Sequence, residues 1–310
     1  MSKHSRRFDD HDYHQPDSQD AEYPQHVDDE KSTLRQHSGA ETEHLDDLNL
    51  STYNDPDASH GPEPGPDWLI TSADAIDDDL GVMKSGKEAD VSLLRRTHGG
   101  RSVLMAVKQY RSSQHRLFHR DSGYLEGRRE RRSRETRAMA TRTSFGRELI
   151  AGKWAAAEFK ALGRLWSLGS PVPYPVQLIG TELMMEFIGT ADGVAAPRLA
   201  QTKPDANEAR RLFAQMRSVL VVMTDAGYAH GDLSAYNVLV DGGRLVMIDL
   251  PQAVDLVGNP QGFTYLRRDC ENICSWFDAR GAHVSAAELE DELLQTYSFR
   301  NPPDTPRRFA

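Results

Sequence analysis

The 310-residue sequence predicts an α+β fold in which strands dominate the first part of the folded region and helices the second. Three observations carry that reading. Residues 103–110 and 182–188 are short apolar runs of strand composition. Residues 205–227, 263–278 and 285–297 instead repeat their apolar side chains at helical spacing. Between them, residues 238–240 and 245–248 flank Asp241-Gly242-Gly243-Arg244, the signature of a β-hairpin. A chain of this length has room for two small lobes or one larger domain, with ample core.

That hairpin organises the rest. Centring its turn on Gly242 and Gly243 folds Asn237 back beside Asp249. An amide oxygen and a carboxylate at one mouth of a hairpin form a hard-oxygen site of the kind Mg²⁺ prefers when phosphates complete its shell. Asp232 lies five residues before Asn237, on the entering loop. Asp, four residues, Asn, strand, turn, strand, Asp is the order of a catalytic loop and a metal loop in protein-kinase-like phosphoryl transfer. His230-Gly231-Asp232 alone would say little, but the hairpin frame makes it specific.

Net charge is -10, unevenly placed. Residues 1–66 hold 5 Lys/Arg against 16 Asp/Glu, so the acidity belongs to the tail and says little about the partner of the site. That tail is poor in aliphatics, holds seven of the twelve histidines and ends in Gly61-Pro62-Glu63-Pro64-Gly65-Pro66. It cannot bury enough apolar surface to offset its ordering entropy, so disorder is expected through residue 66 and order from near Asp67. Its histidines read as solubilising more readily than metal-binding. The first residues lack the apolar stretch of a signal peptide and no run has the length of a membrane span, so a cytoplasmic protein without membrane contact is expected. Cys270 and Cys274 share a helix face without a second pair, which reads as reduced core packing.

Along the chain, Gly81 and Gly86-Lys87 have Walker spacing, but Glu88 stands where a metal-binding Ser or Thr is required, and a strand rather than a helix follows. A short glycine loop between strands fits better, with Ser85, Gly86 and Lys87 at its tip offering backbone N–H groups to phosphates; an ordinary hairpin turn is the plain alternative. In the next strand Lys108 is a lone charge in an apolar run, and a buried ammonium needs a counter-charge. Glu158 falls four residues from both Trp154 and Leu162, on the apolar face of a helix over residues 148–168. Pairing the two resolves both problems and gives the strand-lysine to helix-glutamate pair that orients ATP phosphates in kinases. Between them, residues 111–147 carry eleven Arg against four acids, either a solvated loop or a contact for RNA or other phosphates. Residues 182–189 end an apolar strand in glycine, as a hinge would, with the backbone of Glu186 and Ile188 offered to an adenine edge. Asp205 with Glu208, and Ser285 with Glu288, open the later helices as capping boxes. The end from residue 301 is Pro-rich and expected to fray.

Together, Ser85-Gly86-Lys87-Glu88-Ala89-Asp90-Val91, Ala106-Val107-Lys108, Met185-Glu186-Phe187-Ile188-Gly189, His230-Gly231-Asp232-Leu233-Ser234-Ala235-Tyr236-Asn237 and Ile248-Asp249-Leu250-Pro251-Gln252-Ala253-Val254 resemble the RIO family of atypical serine/threonine protein kinases. The resemblance spans roughly residues 68–280. It implies a bilobal protein-kinase-like α+β fold: a small β-rich N-terminal lobe, about 67–185, and a larger mostly helical C-terminal lobe, about 189–300. It also implies ATP and Mg²⁺ between the lobes, Lys108 on the phosphates with Glu158 behind it, Glu186 and Ile188 on adenine, Asp232 as catalytic base, and Asn237 and Asp249 on the metal. In such kinases the metal-loop aspartate can itself be phosphorylated, and some members act as ATPases in small-ribosomal-subunit maturation, so a protein substrate or ribosomal particle is an expected partner. Ser85 replaces the more usual Thr, and Ser92 stands where an aromatic is common.

Two other readings stand beside this one. A small-molecule kinase of the aminoglycoside or choline type also uses a His-Gly-Asp loop, an Asn and an Ile-Asp, but builds its substrate pocket from a large helical extension, and about thirty residues follow Asp278 here. A catalytically silent scaffold on ribosomal RNA would use the arginine-rich insertion, but would not need Lys108, Asp232, Asn237 and Asp249 together.

Overall fold

The computed structural model of the protein describes residues 49–111 and 144–300. Its N-terminal lobe is a six-stranded antiparallel sheet in the order β1-β5-β6-β4-β3-β2. The strands are β1 (Ser59–His60), β2 (Ile76–Ser85), β3 (Ala89–His98), β4 (Arg101–Tyr110), β5 (Pro175–Ile179) and β6 (Glu182–Glu186). Because side chains alternate along a strand, each sheet face collects its own set. One face receives helix α1 (Ser144–Ser167), whose Ala151, Trp154 and Ala155 pack on Ala89 and Tyr110. On the other, Met105, Val107, Tyr174, Val176 and Met184 are covered by Tyr53, Trp68 and Leu69.

That cover corrects the expectation of disorder through residue 66, since residues 49–66 belong to the folded lobe. Ser59 and His60 pair with Leu178 and Gln177 as an edge strand. Gln177 Nε2 donates to Thr52 Oγ1 at 2.7 Å, and the Tyr174 hydroxyl donates to the Pro62 carbonyl at 3.1 Å. A compositional argument misses this because the segment contributes few apolar side chains and uses the backbone groups of an existing sheet edge. Residues 1–48, the arginine-rich residues 112–143 and residues 301–310 lie outside the described residues.

Beneath this strap sits a buried ion pair. Asp77 and Arg96 are directly opposite across β2 and β3. Arg96 Nε and Nη2 donate to the two carboxylate oxygens of Asp77 at 2.7 and 2.8 Å, a bidentate geometry, and Arg96 is wholly inaccessible.

The C-terminal lobe packs α2 (Ala206–Asp225), α3 (Gly262–Asp278) and α4 (Ala286–Arg300). Their apolar faces meet through Leu212, Met216, Leu220, Leu266, Ile273 and Leu293. Asp205 caps α2 by accepting the Asn207 and Glu208 N–H groups, each at 2.8 Å. Cys270 and Cys274 are buried in α3, and burial pushes their thiols up to about 12 and about 11, as packing residues rather than ligands. Two small two-stranded sheets complete this lobe. β7 (Tyr228–Ala229) pairs with β10 (Val254–Asp255), while β8 (Val238–Asp241) and β9 (Arg244–Met247) form the expected hairpin, with Gly242 and Gly243 at φ 56 and 81°. Positive φ at both central positions is the turn that matches strand twist. No helix among the described residues is long and apolar enough to cross a membrane.

Replacing Arg96 by Leu strands the Asp77 carboxylate in a dry site and is expected to lower stability by about 3–5 kcal/mol in urea unfolding. Replacing Asp77 by Leu as well is expected to restore most of that loss. A single-variant cost as small as that of an exposed pair, about 1 kcal/mol or less, would show that the strap leaves the pair solvated.

Candidate active site

The hairpin turn between β8 and β9 places Asn237 opposite Ile248, whose N–H donates to the Asn237 carbonyl at 3.0 Å, and so sets Asp249 at the same mouth. From the other lobe, β4 delivers Lys108. Its Nζ lies 2.8 Å from Glu158 Oε2 on α1 and 2.6 Å from Asp249 Oδ1. Glu158 is almost completely buried and uses its remaining capacity fully, since Oε1 accepts the Leu250 N–H at 2.9 Å and the Tyr110 hydroxyl donates to Oε2. Burial alone would lower the Lys108 pKa, but Glu158 and Asp249 outweigh it and hold the ammonium above the ordinary lysine value. Burial, then the Glu158 charge, pushes the Tyr110 phenol well above its usual range, so it stays a donor. For Asp249 burial acts upward, yet the Lys108 charge prevails and keeps the carboxyl below its ordinary value.

Asp249 sits at φ 65°, a left-handed conformation that Asp tolerates better than most residues. Its flanks fix it there: the Ile248 carbonyl lies 3.2 Å from His230 Nε2, and Leu250 is tied to Glu158. The loop holding Asp232 is equally constrained. Gly231 has φ 84°, and a Cβ there would fall 2.5 Å from the Gln252 carbonyl oxygen, so only glycine fits. Asn237 Nδ2 donates to the Asp232 carbonyl at 2.8 Å, which leaves its amide oxygen as the group that can face a cation.

Helix α3 anchors this loop through residues that sequence reasoning did not single out. Asp269 accepts the Gly231 and Leu233 N–H groups at 2.8 and 2.9 Å, and Asn272 Nδ2 donates to the Leu233 carbonyl at 3.2 Å. Arg268 Nη2 reaches the Gly231 carbonyl at 3.1 Å and Asp232 Oδ1 at 3.2 Å. Burial pushes the Asp269 carboxyl up, partly offset by His230 and those two N–H bonds. The signal was available: Asp269 lies among Leu266, Cys270 and Ile273 on a buried helix face, the same pattern that marks Glu158. Tyr110 could likewise be found two residues beyond Lys108, on the same strand face.

The other expected contacts are differently arranged. The Ile188 carbonyl accepts the Ala196 N–H at 3.0 Å, so its N–H is the group left to meet an adenine edge. Glu186 has its own N–H on the Tyr174 carbonyl and its Oε2 on the Tyr174 N–H at 3.1 Å. At the β2–β3 turn, the Gly86 N–H donates to the Ala89 carbonyl at 2.9 Å, closing the turn on itself. Ser85 pairs with Asp90 and Asp90 with Gln109, one residue off the Lys108 row, so the Ser85 hydroxyl turns to the opposite face, where it meets Asp90 and Arg111. Lys87 is exposed at the tip. The plain hairpin turn describes the backbone here better than a phosphate cradle.

Asp269→Ala removes the acceptor for two buried N–H groups and is expected to cost about 1–3 kcal/mol for each. Hydrogen exchange should show protection lost at Gly231 and Leu233 while the α2 amides keep theirs. Unchanged exchange at both loop amides would show that the loop holds itself.

The sequence matches the RIO domain over residues 96–290. It is 34% identical over 210 residues to the RIO-type serine/threonine-protein kinase Rio1 of Haloferax volcanii, covering 67% of this chain and 66% of that one. To the serine/threonine-protein kinase RIO1 of Homo sapiens it is 31% identical over 198 residues, covering 64% of this chain and 33% of the relative. The chain thus spans less than two-thirds of the length of either relative. Among solved structures, the Rio2 kinase from Chaetomium thermophilum, in a complex with ADP, Mg²⁺ and phosphoaspartate, aligns with a TM-score of 0.49 and 19% identity, over 72% of this chain and 69% of that one. The family match covers Lys108, Glu158, Asp232, Asn237 and Asp249 in one continuous stretch, and the chain belongs to the RIO domain family.

Proposed function

We propose that this protein carries out ATP- and Mg²⁺-dependent phosphoryl transfer as a RIO-type serine/threonine protein kinase, with ATP hydrolysis as an accompanying or main activity. The observation that carries the reading is the Lys108 ammonium held between Glu158 and Asp249. It joins a strand of one lobe, the shared helix and the metal loop of the other at one point. Phosphoryl transfer is governed by positioning and charge stabilisation, and such a fixed cation supplies both.

The donor set fits a magnesium nucleotide. Among the described residues no cluster of three His, Cys, Asp or Glu side chains forms an all-protein cage, so a divalent ion would take Asn237 and Asp249 and complete its shell from phosphates. Asp249 has one oxygen on Lys108, and its side chain is 39% exposed. When bound, Mg²⁺ would neutralise charge on the β- and γ-phosphates. Lys108 holds phosphate oxygens, and the Ile188 N–H and the Glu186 carbonyl meet adenine. Asp232, steadied by Arg268, orients an acceptor hydroxyl or water and takes its proton.

In the aspartyl-phosphate route, the open Asp249 oxygen forms a bond to the γ-phosphorus while the bond to the bridging oxygen breaks and ADP leaves. Attack on that phosphorus by a serine hydroxyl or water then releases the carboxylate, its proton passing to Asp232. A protein substrate or ribosomal particle fits this chemistry as acceptor or partner. The arginine-rich residues 111–147 would suit contact with RNA phosphates, and the cytoplasm is the compartment proposed.

Asp249→Asn is expected to weaken Mg²⁺-dependent ATP binding together with turnover, whereas Asp232→Asn should spare binding and slow transfer. Labelled ATP should leave an acid-stable, hydroxylamine-labile adduct on the wild-type chain and none on Asp249→Asn. An adduct found on serine alone and unchanged in that variant would exclude the acyl-phosphate route. Wild-type protein that binds ATP without any turnover would favour a silent scaffold.

A further inference from the structure

The roof of the cleft carries a second lysine in line with the first. In the sheet, Lys84 pairs with Val91, Val91 with Lys108, and Lys108 with Leu183. Residues directly opposite across antiparallel strands share a face, so Lys84 stands on the cleft face with Lys108, about 10 Å away across two strand spacings. A register shift between Val82 and Lys84 produces this placement. Val82 pairs with Ser92 and so stands in the row of Val107 on the far face; the extra residue then brings Lys84 round to the cleft.

The surroundings of Lys84 are predominantly cationic. The charges acting on its ammonium are Arg198, Asp249 and Lys108. Arg198 belongs to the floor, where its guanidinium donates to the Tyr236 carbonyl of the catalytic loop. Asp249, the one anion of the three, is already bonded to Lys108. Burial first, then Arg198 and later Lys108, hold the Lys84 ammonium below the ordinary lysine value against the pull of Asp249. Among the described residues, no carboxylate lies within ion-pair distance of Lys84. Lys108 is already matched by Glu158 and Asp249, whereas Lys84 and Arg198 have no carboxylate of their own among the described residues, which leaves room for an anion between them. The glycine turn beside it cannot fill that role with the Gly86 amide, which is spent on Ala89.

We infer that Lys84 is a further phosphate-binding residue of the cleft, taking the distal phosphates of a nucleoside triphosphate from the roof while Lys108 takes them from behind. This rests on the phosphoryl-transfer reading above. Lys84 thereby makes the site discriminate by phosphate number, since a monophosphate would reach Lys108 or Lys84 but not bridge both. Its contact is through a side chain, where the turn was expected to use backbone amides.

The test compares the full-length wild-type chain with Lys84→Met and Lys84→Arg by calorimetric titration with MgATP and with AMP. Loss of a charge-assisted contact should weaken MgATP binding by about tenfold or more in Lys84→Met. AMP affinity should stay within about twofold, Lys84→Arg should recover most of the MgATP affinity, and the melting temperature should not move. MgATP affinity unchanged in Lys84→Met, or MgATP and AMP weakened alike, overturns the role of Lys84 while leaving phosphoryl transfer intact. A wild-type chain that binds neither nucleotide overturns both.

Discussion

Everything in the cleft depends on the balance of charge around one buried ammonium. Lys108 faces two carboxylates, and burying a charge without a partner is far costlier than burying a matched pair. Glu158 is the structural partner: inaccessible, fully bonded and fixed on a helix. Asp249 is the second, on the cleft side and partly open. One cation against two anions leaves the group one negative charge in excess, on the side facing the cleft. On the proposed reading that excess is what a divalent cation would answer at the front of a site that is fully hydrogen-bonded in its rear.

The backbone around Asp249 is arranged to sustain this. A left-handed non-glycine residue costs on the order of 1–3 kcal/mol and persists only where neighbours determine it. Here the determination comes from both sides, with His230 at the Ile248 carbonyl and Glu158 at the Leu250 N–H. Glu158 therefore serves two functions through one side chain, as counter-ion to Lys108 and as acceptor for the Leu250 N–H beside Asp249. Removing its charge would disturb the position of Asp249 as well as that of Lys108.

What could be read from the sequence were features with a local signature. The Asp-Gly-Gly hairpin announces itself through turn chemistry, and Lys108 and Glu158 are each a charge on an apolar face, a contradiction that only long-range pairing resolves. Asp269 offered the same contradiction, masked by the arginines and cysteine beside it. The strap of residues 49–66 gave no such sign, because its order comes from backbone bonds to the edge of β5 rather than from its own composition. Nor could the cleft-facing placement of Lys84 be foreseen, since it depends on an extra residue in β2 that shifts which side chain meets which face. The Asp77–Arg96 pair is hidden for a related reason: an Asp in a run of three acids and an Arg in a run of two look solvated until the strap covers them.

Helix α1 decides how freely this site can change. Its first half packs on the sheet through Ala151, Trp154 and Ala155, while Leu162 and Leu165 in its second half belong to the main core with α2 and α3. Glu158 sits between these two sets and is bonded to both lobes at once, through Lys108 and Tyr110 on one side and Leu250 on the other. Swinging α1 outward would expose Leu162 and Leu165, at about 1.5–3 kcal/mol for each large apolar side chain, and would leave a buried carboxylate unpaired. The ion pair is thus held in place by the packing of α1 against both lobes. On the proposed phosphoryl-transfer reading a nucleotide would ask less of the site: the Lys108 ammonium, bonded to Asp249 Oδ1, would be shared with a phosphate. On that reading a nucleotide would act on the cleft chiefly by redistributing the bonds of one ammonium, at a point where both lobes are joined.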